Sequence, residues 1–273
     1  MPYIDLNGVR IEYVEQGQGD PIVLVHGSLC DFRYWHFQMK PFSQHYRTIA
    51  YSRRYHYPNI LIGDGRDYSA KLHAEDLAVL LRGLGLGPVH FVAASYGAYT
   101  ALFLSIKYPA LVQKLVLAEP PMLPWLQNIP GGPPLLAKFM KNAWEPARQA
   151  FESGDFEKGV RLFISGVVGQ GAFDTLPPPV QHMMLDNAEE MKAETLAPDY
   201  LPSLEREEVG QIQTPTLLLT GEHSPKMFLL IMDEIERSLP NTERKTIPDA
   251  SHALAAGNPK AYNQTVLTFL AKE

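Results

Sequence analysis

The chain has 273 residues, of which 45% are hydrophobic and 20% are charged, and its formal net charge is −6. This composition is that of a globular protein with one large core, and the mild acidity argues against binding to nucleic acid or to an anionic membrane surface. The single cysteine, Cys30, excludes a disulfide within the chain, and no apolar stretch approaches the ~20 residues of a membrane span. We therefore expect a cytoplasmic protein with no signal peptide.

Alternating strands and helices follow in chain order over the first 120 residues. An Asn-Gly pair at residues 7–8 lies between two alternating runs and predicts a β-hairpin with strands at 3–5 and 10–15. The wholly apolar run Pro21–Val25 predicts a strand that is buried on both faces. The further predicted elements are a short helix at 35–42, a strand at 47–51, a helix at 70–82, a strand at 89–93, a helix at 96–107 and a strand at 114–118.

The pattern changes after residue 121, where helical segments rich in bulky residues alternate with prolines and no strand is evident. The predicted helices here are 135–144, 146–152, 156–168 and 180–192. We interpret residues 122–210 as a helical cap, called the insertion below, within a core domain of residues 1–121 and 211–273. The core resumes with a strand at 216–220, a helix at 226–239, a strand at 244–247 and a helix at 259–271. The alternation predicts an α/β fold with a mostly parallel eight-stranded sheet covered by helices on both faces.

Ser95 lies where the buried strand at 89–93 turns directly into a helix. The residues two before and two after it, Ala93 and Gly97, are small, as a tight and strained turn requires. This arrangement predicts a nucleophile elbow, which presents the serine hydroxyl at the N-terminus of a helix whose dipole favours negative charge. The alternative is that Ser95 is only a helix N-cap.

Four motifs at strand ends, in this order and spacing, resemble the α/β-hydrolase superfamily over nearly the whole chain. They are the His26-Gly27 turn, the elbow at Ser95, the strand that ends in Gly221-Glu222-His223, and the Ala250-Ser251-His252 turn before the last helix. The resemblance implies that Ser95 is the nucleophile and that His252 is its general base, because a serine hydroxyl needs a base within hydrogen-bond reach. The alternative for His252 is an ordinary loop histidine. The resemblance also implies that the backbone N–H groups of Ser28 and Tyr96 form the oxyanion hole.

The acidic residue that should orient His252 departs from the family pattern. The family commonly places an Asp three residues after the glycine at 221, where this chain has Ser224. We favour Glu119, which ends the strand after the elbow, because certain lactonases, including the zearalenone-degrading type, look similar in placing a Glu there. Glu222 is the second candidate, and Asp249 is a third, too close to His252 in sequence to orient it easily.

The insertion predicts a lid that excludes water and selects the shape of the substrate. Candidate pocket residues are Leu29, Trp35, Trp125, Phe139 and Trp144, although about half of the bulky residues in the insertion are expected only to pack it against itself. The leading hypothesis is a serine hydrolase that cleaves a carboxylic ester or lactone with an apolar or aromatic group through an acyl-enzyme. We expect no cofactor, no metal and a small-molecule substrate as the partner.

Three other functions stay open on the same scaffold. Carbon–carbon bond hydrolases of ring-cleavage pathways also use Ser and His, although their usual Asp is missing here. Cofactor-free dioxygenases of this fold carry the same pair. A decayed, hydrolase-like binding protein is the non-enzymatic alternative, with Ala93 and Ser224 as its signs of decay. Epoxide hydrolases and haloalkane dehalogenases resemble the fold too, but they need a carboxylate nucleophile where this chain has Ser95.

Overall fold

The computed structural model describes residues 2–6, 8–60 and 63–272, and eight strands form its sheet. The strands are β1 (Tyr3–Leu6), β2 (Val9–Gln16), β3 (Pro21–Val25), β4 (Arg47–Tyr51), β5 (Val89–Ala94), β6 (Val112–Ala118), β7 (Thr216–Gly221) and β8 (Thr242–Ile247). Their order is β1-β2-β4-β3-β5-β6-β7-β8, with β2 antiparallel to both of its neighbours and the other pairs parallel. The predicted eight-stranded, mostly parallel sheet is confirmed.

Two predicted details lie at the N-terminal edge of this sheet. Leu6 pairs with Val9, so the connection between β1 and β2 is two residues long, as the Asn-Gly signal predicts. Gly8 has a φ of 85°, a conformation that glycine adopts freely, while Asn7 lies outside the described residues.

Thirteen α-helices connect and cover the strands in the described part of the chain. They are α1 (His36–Ser43), α2 (Ala70–Gly83), α3 (Tyr96–Lys107), α4 (Gly132–Phe139), α5 (Glu145–Glu152), α6 (Phe156–Val167), α7 (Ala172–Thr175), α8 (Pro178–Asp186), α9 (Ala188–Leu196), α10 (Arg206–Val209), α11 (Lys226–Ser238), α12 (Leu254–Gly257) and α13 (Pro259–Leu270). Shorter 3₁₀ turns are Phe32–Trp35, Pro109–Leu111 and Leu123–Asn128, and Met140–Trp144 is a π-helical turn. None of these helices has the length and apolar character needed to cross a membrane.

Both faces are buried at the centre of the sheet, which is why a central parallel strand such as β3 is apolar along its whole length. Val23 and Val25 belong to a core cluster that includes residues of α2 and α3, and their neighbours Ile22 and Leu24 belong to a second cluster with residues of α1 and α13. With both faces covered, polar side chains gather at the carboxyl ends of the parallel strands, where α/β sheets bind their ligands.

Between β6 and β7 the described chain is helical, and its helices differ from the predicted ones at two points. The helix predicted at 180–192 is wrong as a single element, because Asn187 divides it into α8 and α9. The helix predicted at 135–144 begins earlier, at Gly132, and its last turn is the π-helical turn.

Asn187 breaks the helix because its side chain forms hydrogen bonds with residues that are distant in sequence. The residue is 1% exposed. Its Nδ2 donates to Asp31 Oδ2 and to the Met183 carbonyl, both at 2.8 Å, and its Oδ1 accepts from the Tyr57 amide at 2.8 Å. These bonds tie the insertion to the loops after β3 and β4, and they set the direction in which α9 continues.

We predict that Asn187→Ala lowers the free energy of unfolding by about 1–3 kcal/mol, because the Tyr57 amide loses its acceptor and the buried Asp31 carboxylate, which keeps Arg33, loses one donor. Urea denaturation measures this change. Asn128→Ala, at an exposed position of the insertion, is the matched control and should stay within about 0.5 kcal/mol of wild type. Equal effects of the two substitutions would contradict the role given to the Asn187 hydrogen bonds.

Candidate active site

Ser95 lies between β5 and α3 in a backbone conformation that non-glycine residues rarely adopt. Its φ is 51° and its ψ is −123°, and its amide donates to the Ala118 carbonyl at 2.7 Å. The Ser95 side chain makes no capping hydrogen bond to α3. The hydroxyl is therefore free for other partners, which distinguishes this serine from an ordinary N-cap.

The elbow touches the turn after β3 so closely that small residues are required there. A Cβ added at Gly97 would lie 2.4 Å from the carbonyl oxygens of Val25 and His26, which are backbone atoms and cannot move away. A Cβ at Gly27 would lie 3.0 Å from the Cβ of Ser95. These glycines let α3 and β3 meet beside the nucleophile position.

A chain of hydrogen bonds joins Ser95, His252 and Glu119. His252 Nδ1 lies 2.7 Å from Glu119 Oε2, and His252 Nε2 lies 3.1 Å from Ser95 Oγ. Because the Glu119 carboxylate accepts, Nδ1 carries the ring proton, and Nε2 is left with a lone pair that faces the serine hydroxyl. The geometry is that of a nucleophile, a base and an acid that orients the base.

The Glu119 carboxylate is completely buried and is satisfied at both oxygens. It is 0% exposed, its φ is 47°, and its Oε1 accepts from the Gly221 amide at 3.0 Å. The Gly221 amide also lies 3.1 Å from the Ser224 hydroxyl oxygen, so Ser224 occupies the usual acid position without contacting the histidine through a hydrogen bond in the described residues. The carboxylate that reaches His252 thus comes from the end of β6.

Glu222 and Asp249, the other two acid candidates, are exposed and lie away from the hydrogen-bond chain. Glu222 Oε2 accepts from the Asp249 amide at 3.0 Å. Together with His223 they form a surface group with one candidate ligand atom each, all within 4.8 Å of one another. Exposed groups of this kind are common without an ion, so this one is not evidence of a metal site.

Phe228, in the first turn of α11, stacks on the ring of His252. The ring centroids are 4.0 Å apart and the planes differ by 15°, so the phenyl group limits rotation of the imidazole. Sequence reasoning missed this residue, because an apolar position at the start of an amphipathic helix has the pattern of an ordinary core position.

The two residues predicted to supply the oxyanion hole both lie next to Ser95. Tyr96 is the first residue of α3, where a backbone N–H has no intrahelical acceptor, and Ser28 follows Gly27, where an added Cβ would lie 3.0 Å from the Cβ of Ser95. The Tyr96 hydroxyl donates to the Tyr200 carbonyl in the insertion. The Tyr96 ring thus links α3 to the insertion.

The predicted pocket residues fall into separate places. Trp125 and Trp144 are buried in the insertion, where Trp125 Nε1 donates to the Leu204 carbonyl at 2.7 Å and Trp144 stacks on Tyr200 at 4.5 Å. Phe139 lies beside Trp144, with ring centroids 6.2 Å apart.

Trp35 is not brought together with these aromatic residues. It is fully buried in the core cluster of Ile22 and Leu24, on the face of the sheet that α1 and α13 cover. Its position fits a core residue, because it is the last and buried residue of the 3₁₀ turn that leads into α1. Leu29 is fully buried as well, with a φ of 55°, in the loop that follows Ser28.

The insertion holds an open cavity of about 590 Å³, between the 3₁₀ turn Leu123–Asn128 with α4 on one side and the loop at 198–201 on the other. Its lining is mainly apolar and includes Leu123, Gln127, Leu136, Met140, Tyr200 and Leu201. The five predicted pocket residues do not line it, although Tyr200 joins it to Trp144.

Comparisons with known proteins agree with the fold. A protein-family model described as alpha/beta hydrolase fold matches residues 20–160. The protein named Epoxide hydrolase 3 from Mus musculus is 25% identical over 286 residues, which cover 99% of this chain and 76% of that protein. A non-heme chloroperoxidase from Kitasatospora aureofaciens is 28% identical over 278 residues, which cover 97% and 98%. The solved enol-lactonase from Burkholderia xenovorans shares the fold, with a TM-score of 0.79 at 19% identity over 99% and 100% of the two chains.

We predict that Gly97→Ala destabilises the protein by about 3 kcal/mol, because the new methyl group must displace the backbone at the end of β3. Urea denaturation again gives the value. Gly87→Ala is the matched control, since a Cβ there meets nothing within 4 Å, and it should change stability by less than about 1 kcal/mol. A tolerated Gly97→Ala would mean that α3 and β3 are not in the described close contact.

Proposed function

Because the chain belongs to the alpha/beta hydrolase fold family, we propose that it is a serine hydrolase that cleaves a carboxylic ester or lactone through an acyl-enzyme intermediate. The single observation that carries the proposal is the hydrogen-bond chain from Ser95 through His252 to Glu119, with distances of 3.1 and 2.7 Å. A hydroxyl, a base and an orienting carboxylate at these distances are the parts that acyl transfer requires.

In the first half of the proposed reaction, Ser95 Oγ attacks the carbonyl carbon of the substrate and its proton passes to His252 Nε2. The Glu119 carboxylate stays ionised and stabilises the imidazolium that forms. The carbonyl π electrons move onto oxygen, and the backbone N–H groups of Ser28 and Tyr96 donate hydrogen bonds to the oxyanion that results. The imidazolium then protonates the departing alkoxide oxygen as its bond to carbon breaks, which leaves the acyl group on Ser95.

In the second half, a water molecule attacks the acyl carbon while His252 Nε2 takes one of its protons. Collapse of this second tetrahedral intermediate breaks the bond to Ser95 Oγ, and His252 returns the proton to the serine. The products are a carboxylic acid and an alcohol. With a lactone they are one hydroxy acid, because the alcohol stays attached to the acyl group.

The proposed substrate carries an apolar or aromatic group. The support for this class is the apolar lining of the cavity in the insertion and the aromatic residues Phe139 and Trp144 beside it. We propose that the insertion caps the site, with hydroxyl-to-carbonyl bonds from Tyr96 and Tyr99 of α3 to Tyr200 and Pro202 as its attachments. We further propose a cytoplasmic setting, on the ground of a single cysteine, which is buried.

Ester hydrolysis is a better fit than the epoxide hydrolysis named in the mouse relative. Opening an epoxide on this scaffold needs a carboxylate nucleophile at the elbow, and this chain has a serine hydroxyl there. The bond from Ser95 Oγ to His252 Nε2 gives that hydroxyl the base that it needs in order to act as a nucleophile.

We predict that Glu119→Gln lowers kcat on p-nitrophenyl esters of short and medium chain length by about 10⁴-fold, because a neutral amide removes the charge opposite the imidazolium. Glu222→Gln is the matched control at an exposed carboxylate and should keep kcat within about 3-fold of wild type. If Glu222→Gln is the inactive variant instead, the acid lies in the loop after β7 and the assignment to Glu119 is wrong.

A second prediction separates an active hydrolase from a decayed one. A fluorophosphonate should label wild type at Ser95 and should leave Ser95→Ala unlabelled, as mass spectrometry of the intact protein and its peptides can measure. The same wild-type preparation should hydrolyse p-nitrophenyl esters and should not consume styrene oxide. Absence of labelling would favour a binding protein, whereas labelling without ester hydrolysis would favour carbon–carbon bond cleavage or the dioxygenase reaction.

A further inference from the structure

Two glutamates of the insertion lie buried against the loop that follows β3. Glu190 and Glu194 are 0% and 3% exposed. They are four residues apart on α9, so their side chains leave the same face of the helix. Charged side chains are rarely buried without a specific set of partners, so these two need an explanation that the proposed triad does not give.

This carboxyl pair contacts the proposed oxyanion loop directly. Glu190 Oε2 accepts from the Leu29 amide at 3.0 Å. The Ser28 side chain neighbours the Glu194 carboxyl and lowers its pKa. Leu29 itself has a φ of 55°, a conformation that needs support from its surroundings, and Glu190 supplies that support through the amide.

We propose that Glu190 and Glu194 are positioning residues that hold the loop at Ser28 and Leu29 so that the Ser28 amide is aimed at the substrate oxyanion. The inference rests on the proposed function, because it assigns the pair a task in that reaction. The two carboxyl groups do not touch the reacting atoms. The two glutamates act through the backbone of the loop. Because both belong to the insertion, the position of the insertion affects the geometry of the oxyanion hole.

The surroundings of the pair indicate that it holds one proton. The Tyr68 hydroxyl lies 2.5 Å from Glu190 Oε1 and 3.2 Å from Glu194 Oε2, and its single proton can serve only one of them. His56 donates from Nδ1 to the Cys30 carbonyl at 2.6 Å, so its other nitrogen, an acceptor, faces Glu190 Oε1 at 3.2 Å. One proton shared by the two carboxyl groups resolves this meeting of acceptors, because it faces His56 when it is on Glu190 and Tyr68 when it is on Glu194.

The charged and titratable groups around the pair are consistent with that single proton. They are Arg53 and His56 after β4, His26 before the oxyanion loop, Tyr68 and His73 at α2, Tyr96 on α3 and Tyr200 of the insertion. Burial keeps the three histidines neutral by lowering their pKa values, so Arg53 is the cation that faces the pair. Burial, together with the neighbouring Glu190, raises the pKa of Glu194 to about 8.

The sign of the pH effect is set by these groups. Below pH about 8 the pair carries one negative charge, which Arg53 balances, and the loop is held. As the pH rises through 8, Glu194 loses its proton and two buried carboxylates repel each other. In the unfolded chain, Glu194 ionises at the ordinary pKa of a glutamate, whereas in the folded chain it keeps its proton up to about pH 8. The stability that the protonated Glu194 contributes is therefore complete below the ordinary pKa and is lost as the pH rises to 8.

Substitution of Glu190 tests the positioning role. Glu190→Ala should lower kcat on p-nitrophenyl esters by about 100-fold with KM changed by less than about 3-fold, because the oxyanion is bound chiefly in the transition state. Glu190→Gln keeps an acceptor oxygen for the Leu29 amide and should recover most of the lost rate. Glu189→Gln, exposed on the same helix, is the control and should match wild type. Equal loss of rate in Glu190→Ala and Glu190→Gln, or no loss in either, would overturn the proposal.

Glu194→Gln tests the shared proton. Wild-type kcat should fall above pH about 8, and in Glu194→Gln this alkaline limb should be absent. The Tm of wild type relative to Glu194→Gln should also fall between pH 6 and pH 8. An alkaline limb that persists unchanged in the variant would contradict the assignment.

Amide hydrogen exchange separates this proposal from the proposed function. The Leu29 amide should be protected in wild type and in Glu189→Gln, and it should exchange faster in Glu190→Ala, whatever the activity of the protein. If wild type hydrolyses no ester but shows this exchange pattern, the hydrolase proposal fails and the contact between α9 and the loop stands. If esters are hydrolysed but Leu29 exchange and kcat are unchanged in Glu190→Ala, the positioning role fails alone.

Discussion

The arrangement of this site depends on the buried carboxyl group of Glu119. An isolated carboxylate in a protein interior is strongly unfavourable, so its position must be matched by donors. His252 Nδ1 and the Gly221 amide supply them, and they come from the loop after β8 and from the end of β7. The parallel order β5-β6-β7-β8 brings these loops, and Ser95 with them, to one edge of the sheet.

The neighbouring strands also explain how the acid can occupy an unusual position. Ala118 of β6 pairs with Leu219 of β7, so the ends of the two strands are adjacent and face the same histidine loop. Gly221 lies at that junction, and its amide is within hydrogen-bond distance of both the Glu119 carboxylate and the Ser224 hydroxyl. A carboxylate on either strand end can therefore orient His252. Ser95 and Glu119 share a left-handed φ, which stores strain of about 1–3 kcal/mol each that the packing around them must hold.

Elements that local patterns determine are predictable from the sequence, whereas features that depend on distant contacts are not. Apolar runs such as Pro21–Val25 mark the strands correctly, because burial on both faces leaves no other composition. The break at Asn187 was not predictable, since its partners Asp31 and Tyr57 lie 156 and 130 residues away in the chain. The sequence favours a pocket role for Trp35 because aromatic residues suit both pockets and cores. Only the packing distinguishes the two, and it places Trp35 in the core.

Charge balance links the two buried polar clusters on either side of Ser95. In the proposed reaction, the proton that His252 receives turns its contact with Glu119 into an ion pair. The proposed oxyanion lies near the other cluster, where a second negative charge on the carboxyl pair would oppose it. With Arg53 opposite one carboxylate and a proton on the other, that cluster is neutral. In the proposed reaction, the donors of the oxyanion loop then act on the developing charge without a competing anion behind them.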